Sequence, residues 1–474
     1  MPRKKVQSKI TKEDRSKVLD PIYAVLVLSG LLRIFAINQS LWLDEATTAL
    51  TTKLSYFDIF TQFTPKDFHP PLYYFLMKFI TSFSGNSEIA LRLPSVLAGI
   101  ATVFVIYLIG KKLFTKQIGI VAALLLATSP LHIYYSQEAR MYSITALLVS
   151  LVVYFWIRAT LDRNRKWWIL FALCILLTVG FDYLAGVILL PLFILTVRNK
   201  SHLKAFLLSL IPLILAGVVY SPVLISQFSS GLQVQGTANG WWNILGVTNL
   251  KNLLLVPVKF LIGRISFTNK YLYAGLVSVF FLTVGYLSMK ARGIKYSNTI
   301  FLWLLWPVIV LALVGLFVPV FVYFRILFCL PALYLVCSVG LFRIKEDLFL
   351  PFLSLLLVGN LFFSYLYLSN VSFQREDWKS LSETISNESK DGSAITVFVQ
   401  NAQMEAYHYY QRDVPVTYGA VFEGKEETVW LMRYVYDVFD PSDSVREKVE
   451  GLGYKKEEEK SFNGVVVWKY KKSK

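Results

Sequence analysis

Residues 299–318 read TIFLWLLWPVIVLALVGLFV, twenty positions without a charge. A bilayer core of about 30 Å is crossed by about 20 helical residues, so this stretch reads as a membrane span. Runs of similar character recur at 21–38, 89–110, 117–135, 141–157, 167–181, 183–197, 204–222, 271–289, 321–341 and 348–368. Within lipid every backbone polar group needs an internal partner, which a helix supplies. The pattern predicts a mainly α, polytopic membrane protein with about eleven transmembrane helices. Asp182 interrupts the 167–197 stretch, which predicts two short helices turning at that residue. Composition agrees. Of 474 residues, 55% are hydrophobic and only 17% charged, whereas soluble domains run near a quarter charged.

The net charge is +17. The basic residues fall in short clusters between apolar runs rather than on one face, which argues against nucleic acid as a partner and for a membrane. The N-terminal arm and alternate short loops together carry 22 Lys and Arg. Positive loops stay inside, so the arm 1–20 is expected in the cytoplasm of a multi-pass plasma-membrane protein. No small-residue cleavage site follows the first run, which therefore reads as a signal anchor. Eleven crossings place the C-terminal segment 370–474 outside. The membrane domain is then 21–369, with external loops 39–87 and 223–270.

In the first loop, Tyr56–Phe63 and Tyr73–Phe83 read as helices lying in the interface. The tail reads as a small external α/β domain: helix 376–388, strand 394–399, helix 403–411, strand 428–436, helix 442–452 and strand 465–470. Cys174, Cys329 and Cys337 all lie in apolar runs, without the spacing of a disulfide framework or a metal site.

Three motifs put polar chemistry at the outer membrane edge. Leu41-Trp42-Leu43-Asp44-Glu45 follows the first run. Its paired carboxylates suit a general base, a cation ligand, or the acidic cap of a following helix. His69-Pro70-Pro71-Leu72-Tyr73-Tyr74 sets a histidine at the start of a proline-fixed helix. Tyr134 to Tyr142 reads YYSQEARMY and packs Gln137, Glu138, Arg140 and Tyr142 into one tight turn. Arg binds phosphate bidentately, and tyrosine presents both a ring and a hydroxyl to a sugar. Arg92, Arg325 and Asp182 belong to the same depth, and Arg33 is an expected partner for one of these acids. A transporter concentrates polar groups at the midplane. Their outer placement here favours surface chemistry on a lipid-borne substrate.

The order Asp44-Glu45, His69-Pro70-Pro71-Leu72-Tyr73-Tyr74, Arg92-Leu93-Pro94-Ser95 and Gln137-Glu138-Ala139-Arg140-Met141-Tyr142 resembles the GT-C superfamily. It is similar in particular to the glycosyltransferases related to protein O-mannosyltransferases and lipid A aminoarabinose transferase. The resemblance is specific through about residue 200 and general from there to 368. It implies a polyprenyl-phosphate-sugar donor, transfer at the external face with inversion, and a glycan, lipid or protein acceptor. It implies Asp44 as general base with Glu45 assisting. Arg92, Arg140 and Arg325 become donor-phosphate ligands, and His69, Gln137, Glu138 and Tyr142 cavity residues, with Asp182 beside them. A divalent cation such as Mg or Mn is an open expectation, with Asp44, Glu45 and Glu138 as candidate ligands. The alternative reading is a flippase for a lipid-linked glycan.

Overall fold

Asp20 accepts a hydrogen bond from the Ile22 amide and Pro21 opens the first helix, Pro21–Ile34. Proline at this position loses no hydrogen bond and presets the backbone angle. The computed structural model describes residues 20–198, 200–237, 246–390, 392–411 and 413–473. The basic arm 1–19 and the centre of the 223–270 loop, at 238–245, lie outside the described residues.

The architecture is mainly helical. Six described helices are long and apolar enough to cross a membrane: Glu88–Leu113, Tyr142–Asp162, Lys200–Gly231, Lys270–Ala291, Ser297–Val314 and Glu346–Ser369. A seventh crossing is made if the bent pair Lys116–Ala127 and Pro130–Ser136 counts as one. The expected eleven full-length spans are therefore not all present among the described residues. Pro21–Ile34, Tyr183–Val197 and Leu327–Leu341 are apolar but shorter than the rest. The 321–341 run fails as a single helix because its first residues are irregular up to the 3-10 turn Leu327–Cys329. Asp182 does separate two helices, capping Leu184 through its carboxylate at 2.9 Å.

The bend in the Lys116–Ser136 pair is 64°. Pro130 lacks an amide hydrogen, so the ladder breaks there, and Ser129 caps the new helix. Arg33 fills the break. Its guanidinium donates to the Ala127 carbonyl, to Ser29, to Ser136 Oγ at 3.1 Å and to His132 Nδ1 at 2.7 Å. It pairs with no acid among the described residues, contrary to the sequence expectation. The Ala127 carbonyl freed at the break, the Ser29 and Ser136 side chains and the His132 ring are its partners instead. Gly99 makes the space, since a Cβ there would lie 2.2 Å from Ser136 Oγ.

The tail forms a five-stranded sheet of β1 (Ala394–Phe398), β2 (Val416–Tyr418), β3 (Thr428–Met432), β4 (Tyr454–Phe462) and β5 (Val465–Lys472), in the order β2-β1-β3-β5-β4. β1 runs parallel to β2 and β3, and β5 antiparallel to β3 and β4. Helix Trp378–Glu388 covers one face and Ser444–Gly451 the other. β2 and β4 are absent from the sequence reading. β2 is three residues long, and β4 reads YKKEEEKSF, an exposed edge whose charges conceal the strand and discourage edge-to-edge pairing.

The tail is bolted to the membrane domain. Helix Leu43–Thr51 packs on helix Glu405–Tyr410, and Ala46 is buried in the tail's own apolar cluster with Trp378 and Tyr407. The Tyr410 hydroxyl accepts from the Leu41 amide at 2.8 Å and donates to Glu88 at 3.1 Å.

Candidate active site

A cavity of about 680 Å³ lies between the ends of the helices and the tail. Its wall includes Asp44, His69, Glu138, Arg140, Tyr142 and Arg325, six of the ten site residues expected from sequence. A second, mostly apolar cavity of about 340 Å³ adjoins it. Both are lined by Phe68, His69, Tyr142 and Arg325, and Asp182 lines the apolar one.

Helix Leu43–Thr51 explains why adjacent carboxylates differ. Consecutive helical residues point about 100° apart. The Asp44 side chain is 37% exposed, to the cavity, whereas Glu45 is fully buried. Glu45 accepts from Arg92 Nε at 2.8 Å, from Arg92 Nη2 at 2.6 Å and from the Ala139 amide at 2.7 Å. Burial alone would raise its carboxyl, but the charges of Arg92 and Arg375 outweigh burial and hold it below the ordinary value. The rest of the Arg92 guanidinium donates to the carbonyls of Ile37, Gln39 and Ser40 at 2.6–2.9 Å. Arg92 has no donor left for a phosphate and does not line the cavity. Gln137 is likewise behind the wall. Its Nε2 donates to the Arg33 carbonyl at 2.9 Å and its Oε1 accepts from Tyr367 at 2.8 Å. Glu45, Arg92 and Gln137 thus fasten the first loop to the YYSQEARMY turn.

Arg140 reaches across the cavity floor. Its Nη1 lies 3.3 Å from the Tyr74 hydroxyl, its Nη2 3.5 Å from the His69 ring and 3.9 Å from Asp44 Oδ2. Tyr74 donates to Asp67 at 2.8 Å, and His69 Nδ1 lies 3.4 Å from the same carboxylate. Burial pushes Asp67 up, but His69, Arg140 and the Tyr74 hydroxyl overcome it and bring its carboxyl to about 2. The loop itself is held by Gln227, whose Nε2 donates to the carbonyls of Thr64 and His69. Arg325 is held by one bond from Nη1 to the Pro319 carbonyl at 2.8 Å and has no carboxylate within ion-pair distance among the described residues. Burial raises the Asp182 carboxyl despite the pull of His69 and Arg325.

Arg375 is the residue the sequence reading missed. It stands just past the last span, in the segment assigned to the tail, and it is buried in the membrane domain. Its Nη1 donates to the Tyr134 hydroxyl at 2.7 Å and pairs with Glu138 at 2.9 Å. Burial lifts the Glu138 carboxyl above the ordinary range even so. Arg264, Gln374, Glu376 and Gln400 join the lining. Nothing in the polar linker around 370–376 distinguishes Arg375 from a solvated charge. No three His, Cys, Asp or Glu side chains among the described residues form a group able to hold a metal. Glu45 faces Arg92 and Glu138 faces Arg375, so with Asp44 they do not fit a cation site.

Glu405 sits in the tail helix above Asp44. Burial and the Asp44 charge raise its carboxyl to about 7. The folded state therefore favours its protonated form, and the associated stability is lost as pH rises from about 4.5 to 7. Glu405→Gln is expected to raise the unfolding free energy of the whole chain at pH 8 by about 1–2 kcal/mol after allowance for partial exposure, and to leave it unchanged at pH 4.5. Thermal unfolding at the two pH values checks this.

Comparison with known proteins sets this geometry in context. The family described as dolichyl-phosphate-mannose-protein mannosyltransferase matches residues 68–225, the stretch holding His69, Arg92 and the YYSQEARMY turn. ArnT from Cupriavidus metallidurans, in a structure bound to undecaprenyl phosphate, superposes with a TM-score of 0.56 at 11% identity, over 94% of this chain and 97% of that one. The chain has the GT-C fold. The oligosaccharyltransferase AglB from Archaeoglobus fulgidus, in complex with an inhibitory peptide and a dolichol-phosphate, has a TM-score of 0.52 at 13% identity, over 94% of this chain and 74% of that one. No curated protein matches by sequence. The GT-C expectation drawn from the four motifs is thus met at the level of the fold. With its apolar helices, it makes the chain a multi-pass membrane protein.

Proposed function

We propose that the chain is a membrane glycosyltransferase that moves a hexosyl or pentosyl group from a polyprenyl-phosphate sugar to an acceptor hydroxyl. The observation that carries this reading is the wall shared by the two cavities. An apolar cavity suits a prenyl chain. The polar cavity beyond it suits a sugar, and Arg325 and His69 stand at the junction where a phosphate would sit. The match to the mannosyltransferase family and the lipid carriers in the ArnT and AglB structures support the same class.

In this reading Asp44 accepts the acceptor's hydroxyl proton. The oxygen attacks the anomeric carbon as the carbon–oxygen bond to phosphate breaks, and polyprenyl phosphate leaves from the opposite face, with inversion. Arg325 and Arg140 balance the charge growing on the leaving phosphate. His69 and Asp67 fix Arg140, Tyr142 borders the sugar, and Asp182 borders the prenyl channel. Glu45 and Arg92 are positioning residues. Counting the bent pair, the three short apolar helices and the helix Arg165–Phe181 as further crossings gives eleven. With the N-terminal arm cytoplasmic, the cavity and the tail then face outward.

A transfer assay with radiolabelled polyprenyl-phosphate sugars and a membrane extract as acceptor tests the reading. Label moving to a new glycoside supports it. Carrier binding without transfer supports the flippase. Arg325→Ala is expected to raise the donor KM about tenfold or more by removing a charged phosphate contact, with the acceptor KM unchanged.

A further inference from the structure

The reaction cavity has a second neighbour. A polar recess of about 570 Å³ shares Arg264 and Gln374 with it. The remaining lining combines Ser266, Thr268, Lys270 and Ser372 with two phenylalanines. Its polar groups are two cations and four neutral hydrogen-bonding side chains, and its described lining holds no carboxylate. The salt bridges among the described residues engage neither Arg264 nor Lys270. Arg264 Nη1 contacts the Tyr134 hydroxyl at 2.5 Å, with the ring 4.8 Å below its guanidinium, and Lys270 Nζ contacts only the Phe267 carbonyl at 3.1 Å.

Position matters as much as charge. Lys270 opens the Lys270–Ala291 span, and Ser372 and Gln374 directly follow the Glu346–Ser369 span. The recess therefore lies where two spans end, at the depth of lipid headgroups. It is separate from the apolar cavity, which it shares no lining residue with. If the prenyl chain fills the apolar cavity, the acceptor enters elsewhere, and this recess borders the reaction cavity through Arg264 and Gln374.

We propose that the recess is the acceptor entrance and that it binds a phosphate-bearing acceptor group through Arg264 and Lys270. The proposal rests on the glycosyltransferase reading for the word acceptor. The anion site itself stands on the lining. A cation pair with the Ser266 and Thr268 hydroxyls and the Gln374 amide around it matches a phosphate's charge and its several acceptor oxygens, while the Ser372 hydroxyl is already given to Asn370 Oδ1 at 2.7 Å. The phosphate belongs either to a membrane lipid headgroup or to a soluble sugar phosphate.

The test uses the full chain in phosphatidylcholine nanodiscs with three probes: dioleoyl phosphatidic acid, glycerol 3-phosphate and undecaprenyl phosphate. Binding of each is measured for wild type, Lys270→Glu and Lys270→Arg. Lys270 is exposed, so both variants keep the fold. Phosphatidic acid, glycerol 3-phosphate or both are expected to bind wild type and Lys270→Arg about tenfold tighter than Lys270→Glu. Undecaprenyl phosphate is expected to bind all three alike. Retention of phosphatidic acid alone identifies a lipid-borne phosphate, and equal retention of glycerol 3-phosphate identifies a soluble one. Neither probe binding, or both binding Lys270→Glu as well as wild type, overturns the proposal. Loss of undecaprenyl phosphate binding from every form instead overturns the donor reading and leaves the recess to be judged on the other two probes.

Discussion

Asp44→Asn is expected to lower sugar transfer by about 10²- to 10⁴-fold, the range that a positioned general base contributes. The substitution keeps the size and shape of the side chain and removes its capacity to take a proton. The Asp44 carboxylate accepts no hydrogen bond among the described residues, and its nearest cation, Arg140, is 3.9 Å away. Little stability depends on it, so the Asp44→Asn variant should express, insert and unfold like wild type. The carrier should still bind, because Arg325 and the apolar cavity are untouched. The decisive comparison is single-turnover transfer against undecaprenyl phosphate affinity. A drop in the first with the second unchanged assigns Asp44 to the chemical step. Full activity in a well-folded Asp44→Asn variant removes the base from this residue.

Arg92→Ala tests the opposite kind of role. Removing the guanidinium leaves Glu45 buried with the Ala139 amide, a long bond from the Trp42 amide at 3.5 Å and the more distant Arg375. Breaking a buried pair from one side costs about 3–5 kcal/mol, because the remaining charge is uncompensated. Three carbonyls at the entry to the first loop lose their donor as well. The expected result is a severe loss of thermal stability in detergent, with the donor KM of the surviving fraction unchanged. Arg92→Lys should rescue little. An ammonium has three donors where this guanidinium makes five contacts in a fixed fork. A stable Arg92→Ala protein with a raised donor KM alone would return Arg92 to the phosphate.

The contrast between Asp44 and Glu45 shows how far the sequence reaches. The pair is conspicuous in the chain because two acids follow a membrane run, and both residue types suit proton transfer or cation binding. Which acid faces the cavity depends on the helix Leu43–Thr51 and on what lies beneath it. Arg92 enters from a distant helix, and only its approach turns Glu45 into a fastener. The same holds for Gln137, a motif residue whose partners are the Arg33 and Phe35 carbonyls and the distant Tyr367 hydroxyl. His69, Glu138, Arg140, Tyr142 and Arg325 were legible because their loops fall on one side of the alternating basic clusters, and the fold brings them to one cavity.

By itself the sequence determined the membrane character and the helical class. These depend on the length and charge of each run, which are local quantities. It also determined most of the tail, where turns and apolar alternation repeat at short range, apart from a three-residue strand and a charged edge. Only the tertiary structure decided how many runs are long unbroken helices, since Pro130 and the irregular start of the 321–341 run interrupt helices within apolar composition. Only it placed Arg375 against Glu138 and Tyr134, so that the tail closes the site rather than hanging beside it. The physical reason is the same in both cases. Burial and charge pairing are set by residues far apart in the chain, and the environment of a polar side chain is not written in its neighbours.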